Sequence, residues 1–280
     1  MLNIEVLLKS VKEWNKIRED NPQFDIRFSG VNLSFVDLSF ANLSETDFTR
    51  ANFSGANLTG ADLSGANLTG ANLTGANLTG ANLDCTFLSG ADLRNVILKD
   101  AILDNTSLNG ANLSGVDFTI AEFKNQYLDG ACLNGANLQG ITFIESNCRG
   151  TDFSFSNLSG ARFEGVYFTG ANLRGASLKS DCFKGGNELS GTDLSGADLS
   201  GADISDTDLH GANLIDALLI NAILNGSCLS GADLSRSDLR GAILDQAYLL
   251  GAKLDNAILD GENLKILSTD KNGLGVDCIS

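Results

Sequence analysis

Large apolar residues recur at every fifth position from Phe28 to Phe183, with Cys148 standing in for one of them. The spacing slips by one residue at Lys184-Gly185-Gly186-Asn187, resumes at Leu189 and runs in fives to Leu264. Of these 48 centre positions, 36 are Leu, ten are Phe, one is Ile204 and one is Cys148. Two residues before the centre stands Ala in 27 repeats, and two residues after it stands Gly in 28. A period of five belongs to neither a helix nor a strand. It describes a short extended piece with one large and one small inward residue, followed by a corner. In Leu-Ser-Gly-Ala the Gly falls third in a four-residue turn, where a type II turn needs positive φ and Gly adopts it without a Cβ clash. The same rule predicts that corners carrying Phe35, Phe40 or Phe155 avoid positive φ.

The stretch 51–70, AnfsGAnltGAdlsGAnltG, resembles the A(D/N)LxX motif of the pentapeptide-repeat family, and about 237 of the 280 residues follow it. The resemblance implies an all-β fold, a right-handed quadrilateral parallel β-helix with four repeats per coil. Here it implies about 12 coils and, at about 4.8 Å per coil, a rod roughly 58 Å long. Each inward Leu or Phe then stacks on its equivalent twenty residues away, worth roughly 1.5–3 kcal/mol before chain entropy is subtracted. Numbering around the walls predicts an internal stack of Phe123, Phe143, Phe163 and Phe183. It also predicts an inward polar column of Thr86, Thr106, Gln126 and Ser146, satisfied by internal hydrogen bonds. Asp181, Asn187 and Glu262 fall at nominally inward positions, the first two beside the slip, where local distortion is expected. A bulged corner at the slip, with the same handedness on both sides, is the expectation for 184–188.

Residues 1–22 place Ile4, Leu7, Leu8, Val11 and Trp14 on one helical face, with Asn21-Pro22 as a stop signal. We expect an N-terminal capping α-helix, because an open β-helix end exposes unpaired strand groups. A partner-docking or membrane helix is the competing reading. The repeat region is then 23–264, and 265–280 is an irregular C-terminal tail.

Composition narrows function further. Nineteen Lys and Arg oppose 35 Asp and Glu, a net charge of -16. That balance repels nucleic acid and anionic membrane, so neither is an expected partner. No apolar run approaches a membrane span, and Glu5 and Lys9 interrupt the N-terminal stretch, so a cytoplasmic location is expected. The six cysteines (85, 132, 148, 182, 228 and 278) form no CxxC pair and read as free thiols. His210, the single histidine, sits outside a centre with no fixed acid beside it. No catalytic, cofactor-binding or metal-binding residues are assigned, no cofactor is expected, and the chain reads as a non-enzymatic interaction or scaffold protein with an unknown protein partner.

Two outward features bear on that partner. Phe87, Tyr127, Tyr167 and Tyr248 immediately precede centres of one wall. Ile215, Leu218, Ile220, Ile223 and Ile243 gather outward apolar surface near the C-terminal coils, as for a partner strip or a homodimer seam. The alternative is mimicry of DNA. Residues 188–262 carry 13 acids and three bases, and Glu188, Asp193, Asp198 and Asp203 set one acid on each wall of a single coil. Four coils span about 19 Å, and duplex DNA carries one charge per roughly 1.7 Å, so this third approaches the charge density of DNA. Some members of the family resemble DNA and bind type II topoisomerases. The resemblance therefore implies, as the alternative, a regulator of gyrase or of another basic DNA-binding protein.

Overall fold

The computed structural model describes residues 4–21, 24–118, 123–124, 126–179, 182–184 and 187–261, with 123, 124, 182 and 184 described by backbone alone. Pro22, Asp181, Gly185, Gly186, Glu262 and the tail 265–280 lie outside the described residues.

The chain is a right-handed quadrilateral β-helix in which each leading residue, the one before a centre, pairs in parallel with the leading residue twenty positions on. The four walls begin at Arg27, Asn32, Asp37 and Asn42 and continue as Arg27–Asp47, Asn32–Asn52, Asp37–Asn57 and Asn42–Asp62. On the fourth wall the pairing lengthens into strands β1 (Phe123–Lys124), β2 (Thr142–Ile144), β3 (Arg162–Glu164) and β4 (Cys182–Lys184), a parallel sheet in that order. Centres and small residues fill the lumen as one continuous core. Phe143 and Phe163 stack with centroids 5.2 Å apart, and Phe163 and Phe183 at 4.6 Å. Phe123 is in register above them.

One repeat shows why five residues suffice. Asn52 N–H donates back to Val31 C=O, Phe53 N–H forward to Asn72 C=O, Gly55 N–H forward to Thr74 C=O, and Ala56 N–H closes the corner on Phe53 C=O. The remaining donor, Ser54 N–H, is taken by the side-chain oxygen of Asn52 at 3.0 Å. The same Asx contact recurs at Asn32, Asp62, Asn77, Asp152 and Asp193. Asn or Asp before the centre is therefore the acceptor for the one N–H that neither neighbouring coil reaches.

At the slip the partner interval becomes 21 residues: Tyr167–Glu188, Asn172–Asp193 and Ser177–Asp198 pair in parallel, and Glu188–Asp208 restores twenty. The ladder thus continues through the insertion. Inside it, the carboxamide of Asn187 accepts from Val166 N–H at 3.0 Å and donates to Phe163 C=O at 3.2 Å. Those two groups bond each other directly at ordinary corners, so the Asn side chain is spliced into the corner of the coil above. Thr86 and Thr106 donate to Leu63 and Leu83 carbonyls, and Gln126 donates to Leu103 C=O. The polar column is thereby tied to backbone.

The N-terminal segment is two helices, α1 (Ile4–Lys9) and α2 (Val11–Asp20). They part at Ser10, whose extended backbone and hydroxyl cap Glu13 N–H at the start of α2. Leu7 and Trp14 are buried over the lumen. α2 also completes the first edge of the fourth wall. Asn15 accepts from Asn42 N–H, the Trp14 indole donates to Asn42 C=O, and Arg18 donates to Ser44 C=O. These are the bonds a preceding coil would supply. Sequence periodicity locates the helical face but carries no trace of this side-chain replacement of a strand.

The expectation for the bulky corners is overturned. Phe35, Phe40 and Phe155 have φ of 60°, 59° and 57°, and Asn, Asp, Glu, Arg and Cys corners behave alike. The corner N–H must reach the next coil, as Phe35 N–H does to Ser54 C=O at 2.9 Å. A different turn type would break that register, so the ladder imposes the left-handed corner at a local cost of about 1–2 kcal/mol. The Phe rings recover part of it by lying over glycines of the next coil. A Cβ on Gly55 would meet the Phe35 ring at 2.6 Å, and one on Gly175 would meet Phe155 at 2.8 Å. Gly55→Ala should therefore lower the melting temperature more than Gly75→Ala, whose Cβ would meet nothing within 4 Å. Adding Phe35→Ala should erase the difference in a double-mutant comparison of thermal melts.

Candidate interaction surfaces

Outward side chains fall into columns set by the ladder. Phe87, Tyr127, Tyr167 and Tyr248 share the first wall, linked through Ser107, Asn147, Glu188, Asp208 and Cys228. All four are exposed, Phe87 at 54% and Tyr127 at 53%. Arg149 stacks on Tyr167 with its guanidinium carbon 4.5 Å from the ring centroid, and its charge is shared with Glu188 at 3.9 Å.

The aliphatic residues lie elsewhere. Leu218 and Ile220 belong to the third wall, and Ile223 pairs with Ile243 on the fourth, so the group wraps one edge of the rod. Leu218 and Ile243 are exposed, whereas Ile215, Ile220 and Ile223 are half-buried. Ile215 follows the second wall and stands apart from the other four. The aromatic column and the aliphatic edge therefore face different directions. Among the described residues the most exposed large apolar side chains are the corner residues Phe35 and Phe40, at 82% and 69%. Phe40 borders an open trough with Lys12, Asn15, Lys16 and Glu19 of α2. Their signal in the sequence is the absence of Gly at a corner, which turn chemistry alone does not translate into exposure.

Glu188, Asp193, Asp198 and Asp203 are distributed over the four walls, and each is engaged locally. Asp193 accepts from Ser195 N–H and Asn213, Asp203 from Ser205 N–H and hydroxyl, and Asp198 pairs with Lys179 at 2.9 Å. Much of the acidity in this third thus sits in the Asx position, which Asn fills equally well.

His210 is exposed, and its N–H donates to Asp208. Burial pushes the Cys148 thiol far above its ordinary range, which leaves it un-ionised. Among the described residues no group of His, Cys, Asp and Glu is arranged to hold a metal ion. Cys85, Cys132 and Cys148 are free thiols, but Cys228 is disulfide-bonded, which corrects the expectation that all six are free. Linear spacing shows only adjacency along the chain, whereas Cys228 sits at an outward position that is nonetheless buried. No described helix is long and apolar enough to cross a membrane.

A rod whose inward residues are structural and whose outward residues form columns defines a repeat solenoid built to present surface. The model of the family described as pentapeptide repeats matches in eight copies within residues 26–265, among them 26–65, 61–100, 106–143, 146–180, 188–226, 197–236 and 232–265, and the chain belongs to that family. Among solved structures it is similar to HetL, a pentapeptide repeat protein involved in heterocyst differentiation regulation from the cyanobacterium Nostoc. The identity is 30%, covering 85% of this chain and 95% of that one, with a TM-score of 0.37. It is also similar to QnrB1, a plasmid-mediated fluoroquinolone resistance protein, at 18% identity over 91% of this chain and all of that one, TM-score 0.37. Rfr23 from the cyanobacterium Cyanothece 51142 is 22% identical over 55% of this chain and 91% of that one, TM-score 0.28. No curated protein matches the sequence significantly.

The Asx carboxylates give a pH signature. The hydroxyl and N–H of Thr49 hold Asp47 below the usual carboxylate range, and Ser39 and Ser235 do the same for Asp37 and Asp233. A depressed folded pKa contributes stability that is complete above the unfolded value of about 3.9 and is lost as pH falls through the folded value. Thermal melts should be flat in this contribution from pH 7 to about 5 and fall below about 4. Asp203→Asn should melt near the parent, and Asp203→Ala about 1 kcal/mol less stable because Ser205 N–H loses its acceptor.

Proposed function

We propose that the protein is a non-enzymatic scaffold that binds another protein through outward columns of its β-helix. The observation that carries this reading is the alignment of exposed apolar side chains in two groupings, an aromatic column on the first wall and an aliphatic edge between the third and fourth, beside the separate corner rings of Phe35, Phe40 and Phe155. The family is generally one of structural and interaction proteins. Leu218, Ile220, Ile223 and Ile243 form the contact edge, either for a partner or for a second copy of the chain. Exchanging Ile220, Ile223 and Ile243 for Asn should abolish self-association in sedimentation velocity, or partner binding in calorimetry, while the melting temperature holds. A triple variant that keeps both would refute the assignment of this edge.

A second reading is favoured by one observation, the excess of acids in residues 188–262. Here the rod mimics DNA toward a type II topoisomerase. Replacing Glu188 with Gln and Asp193, Asp198 and Asp203 with Asn removes four charges while keeping the Asx acceptors. In a gyrase supercoiling assay with added protein, mimicry predicts an effect of the parent that weakens with salt and is reduced in this variant. The scaffold reading predicts no effect of either protein.

A further inference from the structure

Phe87, Tyr127 and Tyr167 stand at alternate rungs of one ladder, with Ser107 and Asn147 on the rungs between. Two coils advance about 9.6 Å, from a strand separation of about 4.8 Å. A polyproline II helix advances about 3.1 Å per residue with three residues per turn, so one of its faces repeats about every 9.3 Å. Over the two intervals from Phe87 to Tyr167 the mismatch accumulates to only about 0.6 Å, from the same rises. Small Ser107 and Asn147 leave troughs between the rings. Proline-rich segments dock on aromatic surfaces by seating successive turns between rings, and they lose little entropy because the helix is preformed.

Charge selects the flanks of such a segment. Asp129 and Glu188 lie on this wall and Asp104, Glu145 and Glu164 at its leading edge, against Arg149, which already pairs with Glu188, and Lys124, one coil on from Asp104. We propose that the first wall between Phe87 and Tyr167 is a docking site for a proline-rich, polyproline II segment carrying Arg or Lys at its ends. The proposal rests on the scaffold reading and names the partner chemistry for one of its surfaces. Phe87 and Tyr127 offer open rings. Tyr167 is already covered in part by Arg149 and closes the site. Other occupants fit less well. Nucleic acid meets the wrong charge. A β-linked glycan would stack on the rings and could donate hydroxyls to the carboxylates, but as a neutral chain it gains nothing from their charge.

The test uses the full chain and a synthetic peptide of four Pro-Pro-Leu triplets with Arg at both ends, followed by calorimetry. Saturable binding is expected, with at least tenfold weakening by Tyr127→Ala and loss of binding to a peptide with Gly in place of Pro. Ser107→Tyr is the sharper variant. It fills one trough and adds an aromatic ring, so docking between rings predicts that binding is lost, whereas a merely sticky surface predicts that it strengthens. Tyr127 is outward, so its truncation should leave the melting temperature unchanged. The proposal is overturned if the peptide fails to saturate at millimolar concentration, if the Gly peptide binds equally, if Ser107→Tyr binds more tightly, or if a cello-oligosaccharide binds the column in preference to the peptide. Any of these, alongside a triple isoleucine variant that still loses self-association or partner binding, removes the proline-rich ligand and leaves the scaffold reading in place.

Discussion

The parallel ladder with its twenty-residue interval is the constraint on which everything else in this molecule depends. It leaves one backbone N–H per repeat beyond the reach of both neighbouring coils, and that donor explains the Asn or Asp before each centre. It also aims the N–H of most described corners at the next coil, which holds the corner in the left-handed region whatever residue occupies it. Glycine is the cheapest way to meet that demand and Phe35 is an expensive one, but both meet it. Local preference yields because abandoning the corner geometry would disrupt hydrogen bonds in two coils, whereas the strained φ costs about 1–2 kcal/mol.

The lumen was legible because its period is the fold. Every inward Leu, the stacked Phe143, Phe163 and Phe183, and the column from Thr86 to Ser146 follow from counting in fives and twenties. What was illegible arises where a side chain substitutes for backbone. Asn187 reads as an inward position with local distortion beside the slip, yet its carboxamide carries both halves of a corner hydrogen bond. Trp14 reads only as part of a helical face, yet with Asn15 and Arg18 it imitates a strand edge. Such replacements depend on atom positions that no periodicity encodes. The Phe corners were misjudged for a related reason, since single-residue φ preference was weighed without the ladder that overrides it. On the outside, the common wall of Phe87, Tyr127, Tyr167 and Tyr248 is countable from the sequence, whereas the exposure of Phe35, and of Phe40 beside α2, is not.

The same constraint changes the weight that surface features carry. Acidity comes readily to this fold, because the Asx position accepts Asp or Asn with the same hydrogen bond, and a run of Asp needs no partner to explain it. The carboxylates of Asp193 and Asp203 already serve their own corners. A high linear charge density is therefore weak support for mimicry of DNA, even though it would be costly to maintain in an ordinary globular domain.

An aromatic or aliphatic residue in the leading position has the opposite standing. Phe87, Tyr127, Tyr167, Ile223 and Ile243 occupy the position where Asn or Asp would accept the next N–H, so each gives up the side-chain acceptor that the repeat otherwise supplies. Each also exposes apolar surface that the lumen has no need of. Asn109 and Asp129 show how the wall accommodates the loss at Tyr127 and how the arrangement extends past Asn147. Asn109 accepts from Asp129 N–H and Asp129 from Arg149 N–H, each bond running from one coil to the next beside the aromatic column. Two side-chain bonds thus carry the backbone across three coils beside Tyr127. That compensation, more than exposure or charge, separates the first wall from the surface that the repeat produces by default.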